Sequence, residues 1–295
     1  MERKQRIEIL KRIQAACDEV TQGYHAQTGR NNIRFIVLQL EDSSSKLFEG
    51  TDIIRKTSQL YDEYEGNEEY IHIPDVQQML KNFEENIVVG IEDMDTGELE
   101  GVTTIKYYEN IGEAVNPYYP KKDTKYFEVT GVIIKQRRDM SNKGLGTGMY
   151  EACFLGLQKY ANMHQDENYR LNAVIDCTNI KSLYAAQNAI NNINSRNLLG
   201  SGKKMQLNLG GIYVVRDQET KRLVEAPTFI IESDLREHDL SSNEYDDENR
   251  KSDVVEFKYV KPNEAYPKHR IYSGLKHSII LRIYRARQKN EITSK

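Results

Sequence analysis

The chain has 295 residues, of which 38% are hydrophobic and 29% charged, with a formal net charge of −4. This near balance of charge argues against a protein that coats nucleic acid or an anionic membrane, and we expect neither as a partner. No stretch approaches the roughly 20 apolar residues of a membrane span, and the charged start "MERKQRIEILKRIQ" lacks the apolar core of a signal peptide. Three widely spaced cysteines form no disulfide or zinc pattern, so we expect a cytoplasmic protein.

The first part of the chain predicts a helix, a strand, two more helices and a hairpin. Apolar residues at three- and four-residue steps predict an amphipathic helix over 3–22, which packs on the core or on a second copy of the chain, as in a homo-oligomer. "NNIRFIVLQL" predicts a strand over 31–40, and helices are predicted near 51–63 and 74–84. "NIVVGIED" and "LEGVTTIKYY" flank the turn "MDTGE" and predict a hairpin.

The next part alternates strands with helices. A tyrosine-rich loop leads into the strand "FEVTGVIIK", and a helix follows over about 144–163. The strand "LNAVIDCT", the helix "NIKSLYAAQNAINNI" and a hairpin of "GGIYVVRD" with "APTFIIES" come next. Antiparallel hairpins at both ends and a strand–helix–strand crossover between them predict an α/β fold class, α+β-like, with a mixed central sheet flanked by helices.

The predicted organisation has four segments. They are an N-terminal helical extension (1–30), a main domain (31–235), a mobile polar linker (236–252) and a C-terminal extension (253–295). The last segment holds the strand "VVEFKYV" and the run "SIILRIYRARQ", which is equally compatible with strand and helix. The basic stretch "KHRIYSGLKHSIILRIYRARQK" fits either nucleic acid or an acidic face of its own chain, and the negative net charge favours the second.

Three glycines occur within five positions of "MSNKGLGTGMYEA", where a strand gives way to a helix. A helix start carries unpaired N–H groups and a partial positive charge, and glycine lets a phosphate approach that backbone closely. The dinucleotide fingerprint fails because Met149 stands where it needs glycine, and "NLLGSGKK" fails as a P-loop at Asn197 and Lys204. Two interpretations remain open, a phosphate-binding loop and a glycine turn used only for packing.

The stretch "SNKGLGTGMYEA" resembles the pyrophosphate loop [QR]-x-x-G-x-[GA] of the GCN5-related N-acetyltransferases (GNAT), with Ser141 at the Gln or Arg position. The element order over about 31–233 is similar to that family as well. The resemblance implies a GNAT-like fold with acetyl-CoA as cosubstrate. It implies cofactor contacts from the glycine loop, from the backbone of the preceding strand beside the pantetheine arm, and from the start of the next helix: Lys143, Gly144, Leu145, Gly146, Thr147, Gly148, Val132, Ile133, Ile134, Lys135, Asn179 and Ser182.

The same resemblance assigns the chemistry. Glu128 is the candidate general base for the attacking amine, against the alternative of a solvated strand-end carboxylate. Tyr184 is the candidate acid for the leaving thiolate, although the usual tyrosine position corresponds to Ala186. The tyrosines that flank the central loop are candidates for substrate binding, or else ordinary strand-end aromatics: Tyr107, Tyr108, Tyr119 and Tyr126. The six histidines show no metal-binding spacing, so no metal is expected.

The function expected from these residues is acetyl-CoA-dependent N-acetyl transfer by direct attack of an amine. The acceptor is a small molecule or a protein or peptide amine. The alternative is a non-catalytic module of the same fold that binds CoA or a partner through its extensions.

Overall fold

The computed structural model describes residues 1–40, 47–63, 74–109, 125–135, 144–176, 180–200, 205, 208–215, 228–234 and 255–258. Within them the predicted order of elements is confirmed. The helices and strands are α1 (Arg3–Thr28), β1 (Ile33–Leu38), α2 (Leu47–Asp62), α3 (Val76–Glu85), β2 (Ile87–Asp93), β3 (Leu99–Tyr108), β4 (Lys125–Ile134), α4 (Leu145–Ala161), β5 (Tyr169–Asp176), α5 (Ile180–Ser195), β6 (Asn208–Val215), β7 (Thr228–Asp234) and β8 (Val255–Lys258). None of the helices described is long and apolar enough to cross a membrane.

The strands form one eight-stranded sheet in the order β1-β2-β3-β4-β5-β7-β6-β8. Neighbours are antiparallel except β4 and β5, which run parallel on either side of the crossover through α4. The predicted fold class, a mixed central sheet flanked by helices, is confirmed. The predicted strand in "VVEFKYV" is β8, which pairs with β6, whereas the linker 236–252 and the run "SIILRIYRARQ" lie outside the described residues.

A bulge bends β4 in its middle. Gly131 and Val132 together lie opposite Thr103 of β3, and Gly131 has a left-handed φ of 57°. An extra residue in one strand bends that strand and reverses the alternation of its side chains. Phe127 accordingly faces the helices α1 and α4 before the bulge, while Ile133 faces the opposite side after it.

The strands β4 and β5 separate at their carboxyl ends. They pair only from Lys125 and Tyr169 to Val129 and Ala173. Beyond that point β4 stays with β3 over 133–134, and β5 stays with β7 over 174–176. The sheet therefore opens between its two parallel strands from the bulge onward, at the edge where α4 and α5 begin.

The core lies on both faces of the sheet. The larger cluster joins α1, α4 and α5 to one face, and a second cluster joins α2 and α3 to the other. The helix α1 packs closely on α4, since a Cβ on Gly156 would lie 2.7 Å from Cα of Ile13. The prediction that the N-terminal helix packs on the core is confirmed. This helix ends at Thr28, later than predicted, where Gly29 caps it in a left-handed conformation.

Candidate active site

The fold itself explains two of the three glycines at the start of α4. Gly144 caps the helix with a left-handed φ of 78°, a conformation that only glycine adopts without strain. Gly148 is in the helix, and a Cβ there would overlap the ring of Phe35, lying 2.8 Å from its Cε1. Backbone conformation therefore explains Gly144, and packing against β1 explains Gly148.

Neither backbone conformation nor packing explains why residue 146 is a glycine. Its φ is not left-handed, and a Cβ there would lie 3.6 Å from Cβ of Ala185 and 3.9 Å from Cγ1 of Ile134, which are ordinary contact distances. Glycine inside a helix costs roughly 1 kcal/mol relative to alanine. The position lies between the end of β4 and the first turns of α5, beside the opening between β4 and β5. Because nothing within the chain requires a glycine at position 146, the missing side chain is suited to the close approach of a ligand.

The helix start offers backbone donors to that ligand. The N–H of Gly148 already donates to the carbonyl of Gly144 at 2.8 Å. The preceding N–H groups of Leu145, Gly146 and Thr147 have no intrahelical acceptor, and they lie at the positive end of the helix dipole. Lys143, which was predicted to add a charge here, lies outside the described residues.

The last residues of β4 form one wall of the opening. Ile133 pairs with Val102 and Ile134 with Gly101, so β3 holds this segment of β4 from its far side. The N–H of Lys135 donates to the carbonyl of Glu100 at 2.8 Å, and the Lys135 ammonium lies 3.7 Å from the Glu100 carboxylate. Both the backbone and the side chain of Lys135 therefore contact β3, and the segment 132–134 is the part of β4 that lies beside the opening.

The start of α5 forms the other wall. The hydroxyls of Ser182 and Tyr150 are 2.7 Å apart, which ties the first turn of α5 to α4. Tyr184 is 43% exposed whereas Ala186 is fully buried, so the two positions lie on different faces of the helix. Its assignment as the acid stays a prediction, and Asn179 lies outside the described residues.

Glu128 lies on the opposite face of the sheet from α4, ahead of the bulge. Its side chain is 8% exposed, and Oε2 accepts a hydrogen bond from the hydroxyl of Tyr108 at 3.1 Å. Its neighbours across the strands are Lys106 and Asn172. Burial, followed by the nearby Glu128 carboxylate, raises the pKa of Tyr108 well above its ordinary value. Tyr108 therefore stays protonated at neutral pH and acts as a donor to the carboxylate.

A groove of about 1010 Å³ lies on this face between α3 and the strands β3 and β4. Its floor includes Lys106, Tyr108, Thr130 and Gly131. The groove thus runs past the Tyr108–Glu128 pair and ends at the bulge, where β4 begins to part from β5.

Sequence reasoning missed two walls of this groove. One is α3, and the other is the start of α1, where Arg6 donates to the backbone carbonyls of Phe83 and Asn86 and so joins the two helices. No local pattern marks these residues, because they meet only through contacts about 80 residues apart in sequence.

The four tyrosines predicted to hold a substrate do not share one environment. Tyr108 lines the groove beside Glu128. Tyr107 also lines the groove, but its ring packs on Phe127 at 5.4 Å. Tyr126 is completely buried, so the Tyr126 side chain is closed to a substrate. Tyr119 lies outside the described residues.

Comparison with known proteins finds likeness in structure alone. No protein-family model and no curated protein matches the sequence. A ribosomal-protein-S5-alanine acetyltransferase from Vibrio fischeri is 9% identical over 70% of this chain and 94% of its own, with a TM-score of 0.39. An acetyltransferase of the GNAT family from Bacillus anthracis is 12% identical over 69% and 95%, with a TM-score of 0.38. An aminoglycoside acetyltransferase solved with coenzyme A and kanamycin is 10% identical over 68% and 94%, with a TM-score of 0.39.

The strand order, the parallel pair β4–β5 that separates at its carboxyl ends, and the glycine-capped helix that joins those two strands are features of the chain itself. This topology agrees with the GNAT-like fold that the resemblance in the sequence implies.

Proposed function

We propose that the chain is an acetyl-CoA-dependent N-acetyltransferase. The observation that carries the proposal is Gly146, a helix glycine that neither its backbone conformation nor its packing requires. A pyrophosphate at the first turn of α4 supplies the missing reason, because it needs both the exposed N–H groups and the absence of a Cβ. Two phosphate groups at this helix start place the rest of the cofactor along the opening between β4 and β5.

The acceptor amine enters from the groove under α3. Thr130 and Gly131 line the groove, and β4 no longer pairs with β5 after Val129, so the two spaces approach each other at the bulge. The acetyl thioester supplies an activated acyl group, and the chain has to deprotonate the amine and polarise the carbonyl. In this proposal Glu128 accepts the proton of the amine, directly or through a water, and a backbone N–H of 132–134 faces the carbonyl oxygen.

The residues next to Glu128 suit it to this role. Tyr108 holds one carboxylate oxygen in place from the groove side. Lys106 is the residue directly opposite Glu128 on β3. The acceptor class is an amine, borne by a small molecule or by a peptide or protein.

Two measurements test the proposal. Calorimetric titration with CoA should show one site per chain, and an amine panel screened for thiol release from acetyl-CoA should find an acceptor. A chain that does not bind CoA would contradict the whole proposal. A chain that binds CoA but releases no thiol with any amine would favour the non-catalytic module.

A further inference from the structure

The charged side chains that line the groove under α3 lie at two depths. Lys81, Glu84 and Glu85 of α3 are exposed on its rim, and the Lys81 ammonium lies 3.8 Å from the Glu85 carboxylate. Arg6 and Lys106 also line the groove, but both are half-buried. Because water and salt screen the exposed charges, the two half-buried cations contribute more to the electrostatic potential inside the groove.

Neither cation forms an ion pair with a carboxylate in the part of the chain that the structure describes. Nη2 of Arg6 donates to the backbone carbonyls of Phe83 at 2.5 Å and Asn86 at 3.0 Å, and its Nε is buried without a hydrogen-bond partner. Burial lowers the pKa of Arg6, yet a guanidinium stays protonated at neutral pH. A half-buried positive charge without a counter-ion is costly, and an anion that enters the groove would offset that cost.

The Asn82 side chain adds a neutral donor to this part of the groove. Its amide oxygen accepts a hydrogen bond from Nδ2 of Asn86 at 3.1 Å. Its own NH₂ group donates no hydrogen bond within the described residues, and Asn82 is half-buried and lines the groove. A carboxylate accepts hydrogen bonds from guanidinium, ammonium and amide groups alike, so it is an anion that suits all three donors.

The register of the sheet gives the place of these donors relative to the candidate base. Lys106 pairs with Glu128 across β3 and β4. On the other side of β3, Ile87 pairs with Ile105, so the preceding residue Asn86 lies beside Lys106. The Asn86 carbonyl is in turn bound by the guanidinium described above. Neighbouring strands lie about 4.8 Å apart, which places the cationic end of this row roughly 5–10 Å from Glu128.

We propose that the acceptor is an amine that also carries a carboxylate, and that Arg6, Asn82 and Lys106 bind this carboxylate while the nitrogen lies at Glu128. The carboxylate of an α-amino acid is attached to the carbon that bears its amine, which is too short a link to span the row. The row instead fits an acceptor with several bonds between the two groups, such as an ω-amino acid, the side-chain amine of lysine or a short peptide. This inference rests on the proposed function, since it takes Glu128 as the base.

The test compares matched amines by thiol release from acetyl-CoA. The probes are ε-aminocaproate, its neutral amide ε-aminocaproamide and the diamine cadaverine, which all present a primary amine at the end of a flexible chain. The wild-type chain should acetylate ε-aminocaproate with a kcat/KM roughly 10-fold or more above that of the amide, the usual worth of a hydrogen bond to a charged group. Because this ratio is taken within one variant, any loss of fold or catalysis that affects both amines equally cancels.

Substitutions in the groove should change the ratio in a defined order. Lys106→Gln should lower it by roughly 10-fold, and Lys106→Glu should reverse the preference, so that cadaverine reacts faster than ε-aminocaproate. Arg6→Gln should lower the ratio too, and its melting temperature is measured because Arg6 also joins α1 to α3. Lys81→Gln is the matched control, since Lys81 lies on the exposed rim beside Glu85, and it should keep the wild-type ratio.

The outcomes separate this inference from the proposed function. Equal kcat/KM values for ε-aminocaproate and its amide in the wild type, or an unchanged ratio in Lys106→Gln, would overturn the carboxylate site and leave N-acetyl transfer in place. Turnover of only those amines that lack a carboxylate would overturn it as well. Release of no thiol with any amine would contradict the enzymatic function, and this inference with it.

Discussion

Tyr108 and Glu128 form a hydrogen-bonded pair across two neighbouring strands, with 3.1 Å between the phenol oxygen and Oε2 of the carboxylate. The phenol lines the groove under α3, while the carboxylate beneath it is 8% exposed. A solvated strand-end carboxylate would have neither this burial nor a fixed donor. The pair thus places a buried, hydrogen-bonded carboxylate close to the bulge of β4.

Glu128→Gln should keep the shape of the site and remove the proton acceptor. The turnover rate at neutral pH should fall by roughly 10²–10⁴, the usual contribution of a general base. CoA affinity should stay the same because the start of α4 is untouched. Activity should partly recover at high pH, where the amine is already neutral. A rate near that of the wild type at pH 7, measured by thiol release, would remove Glu128 from the mechanism.

Tyr108→Phe should change the environment of Glu128 while leaving the carboxylate itself in place. Losing a donor makes the ionised carboxylate less favourable, so the acid limb of the pH–rate profile should move to higher pH. The rate at the optimum should fall by less than it does in Glu128→Gln. The control is Tyr107→Phe, since the Tyr107 ring packs on Phe127 and its hydroxyl accepts a hydrogen bond from Gln5 rather than donating to Glu128. Tyr107→Phe should keep the wild-type pH–rate profile. If Tyr108→Phe kept it as well, Tyr108 would have no part in holding Glu128.

The glycines of α4 provide a matched pair of substitutions. Gly146→Ala should fold normally and gain up to about 1 kcal/mol in helix propensity, while CoA binding is lost or greatly weakened. Gly148→Ala should instead destabilise the fold by roughly 1–3 kcal/mol, because its Cβ overlaps the ring of Phe35. Calorimetry with CoA and thermal unfolding of each variant make the comparison. Full CoA affinity in a folded Gly146→Ala variant would contradict the phosphate site.

These glycines also show where sequence reasoning reaches its limit. Hydrophobic periodicity and turn residues predict each helix and strand, because those signals are local. The sequence cannot assign Gly148 to packing, since Phe35 lies more than 100 residues earlier and meets it only in the folded chain. The groove cannot be predicted from the sequence for the same reason, because Arg6 and α3 come together only through long-range contacts. One available signal was Gly131, since a glycine inside a strand often marks a bulge.

The contact between α1 and α4 predicts a large effect at another glycine. Gly156→Val should force the two helices apart, because even its Cβ would lie 2.7 Å from Cα of Ile13. The free energy of unfolding should fall by roughly 1–3 kcal/mol or more. Ile7→Ala is the control: Ile7 lies on α1, as Ile13 does, but it is 44% exposed, so its replacement should change the free energy of unfolding little. Deleting 1–28 should be more severe still, and an unchanged melting temperature would show that α1 contributes nothing to the core.

Buried tyrosines should make the fold sensitive to alkali. Burial raises the pKa of Tyr61 to about 12 and that of Tyr150 to about 12, whereas both should titrate near 10 in the unfolded chain. A group whose pKa is higher in the folded state stabilises the fold below its unfolded pKa, and this stabilisation is lost as pH rises toward the folded value. The free energy of unfolding should therefore fall between about pH 10 and 12, by roughly 1 kcal/mol per pH unit for each tyrosine. Denaturant titrations at a series of pH values measure the slope, and Tyr61→Phe should make it shallower while leaving it unchanged below pH 9. A slope that is the same in Tyr61→Phe and the wild type would show that this phenol ionises freely in the folded chain.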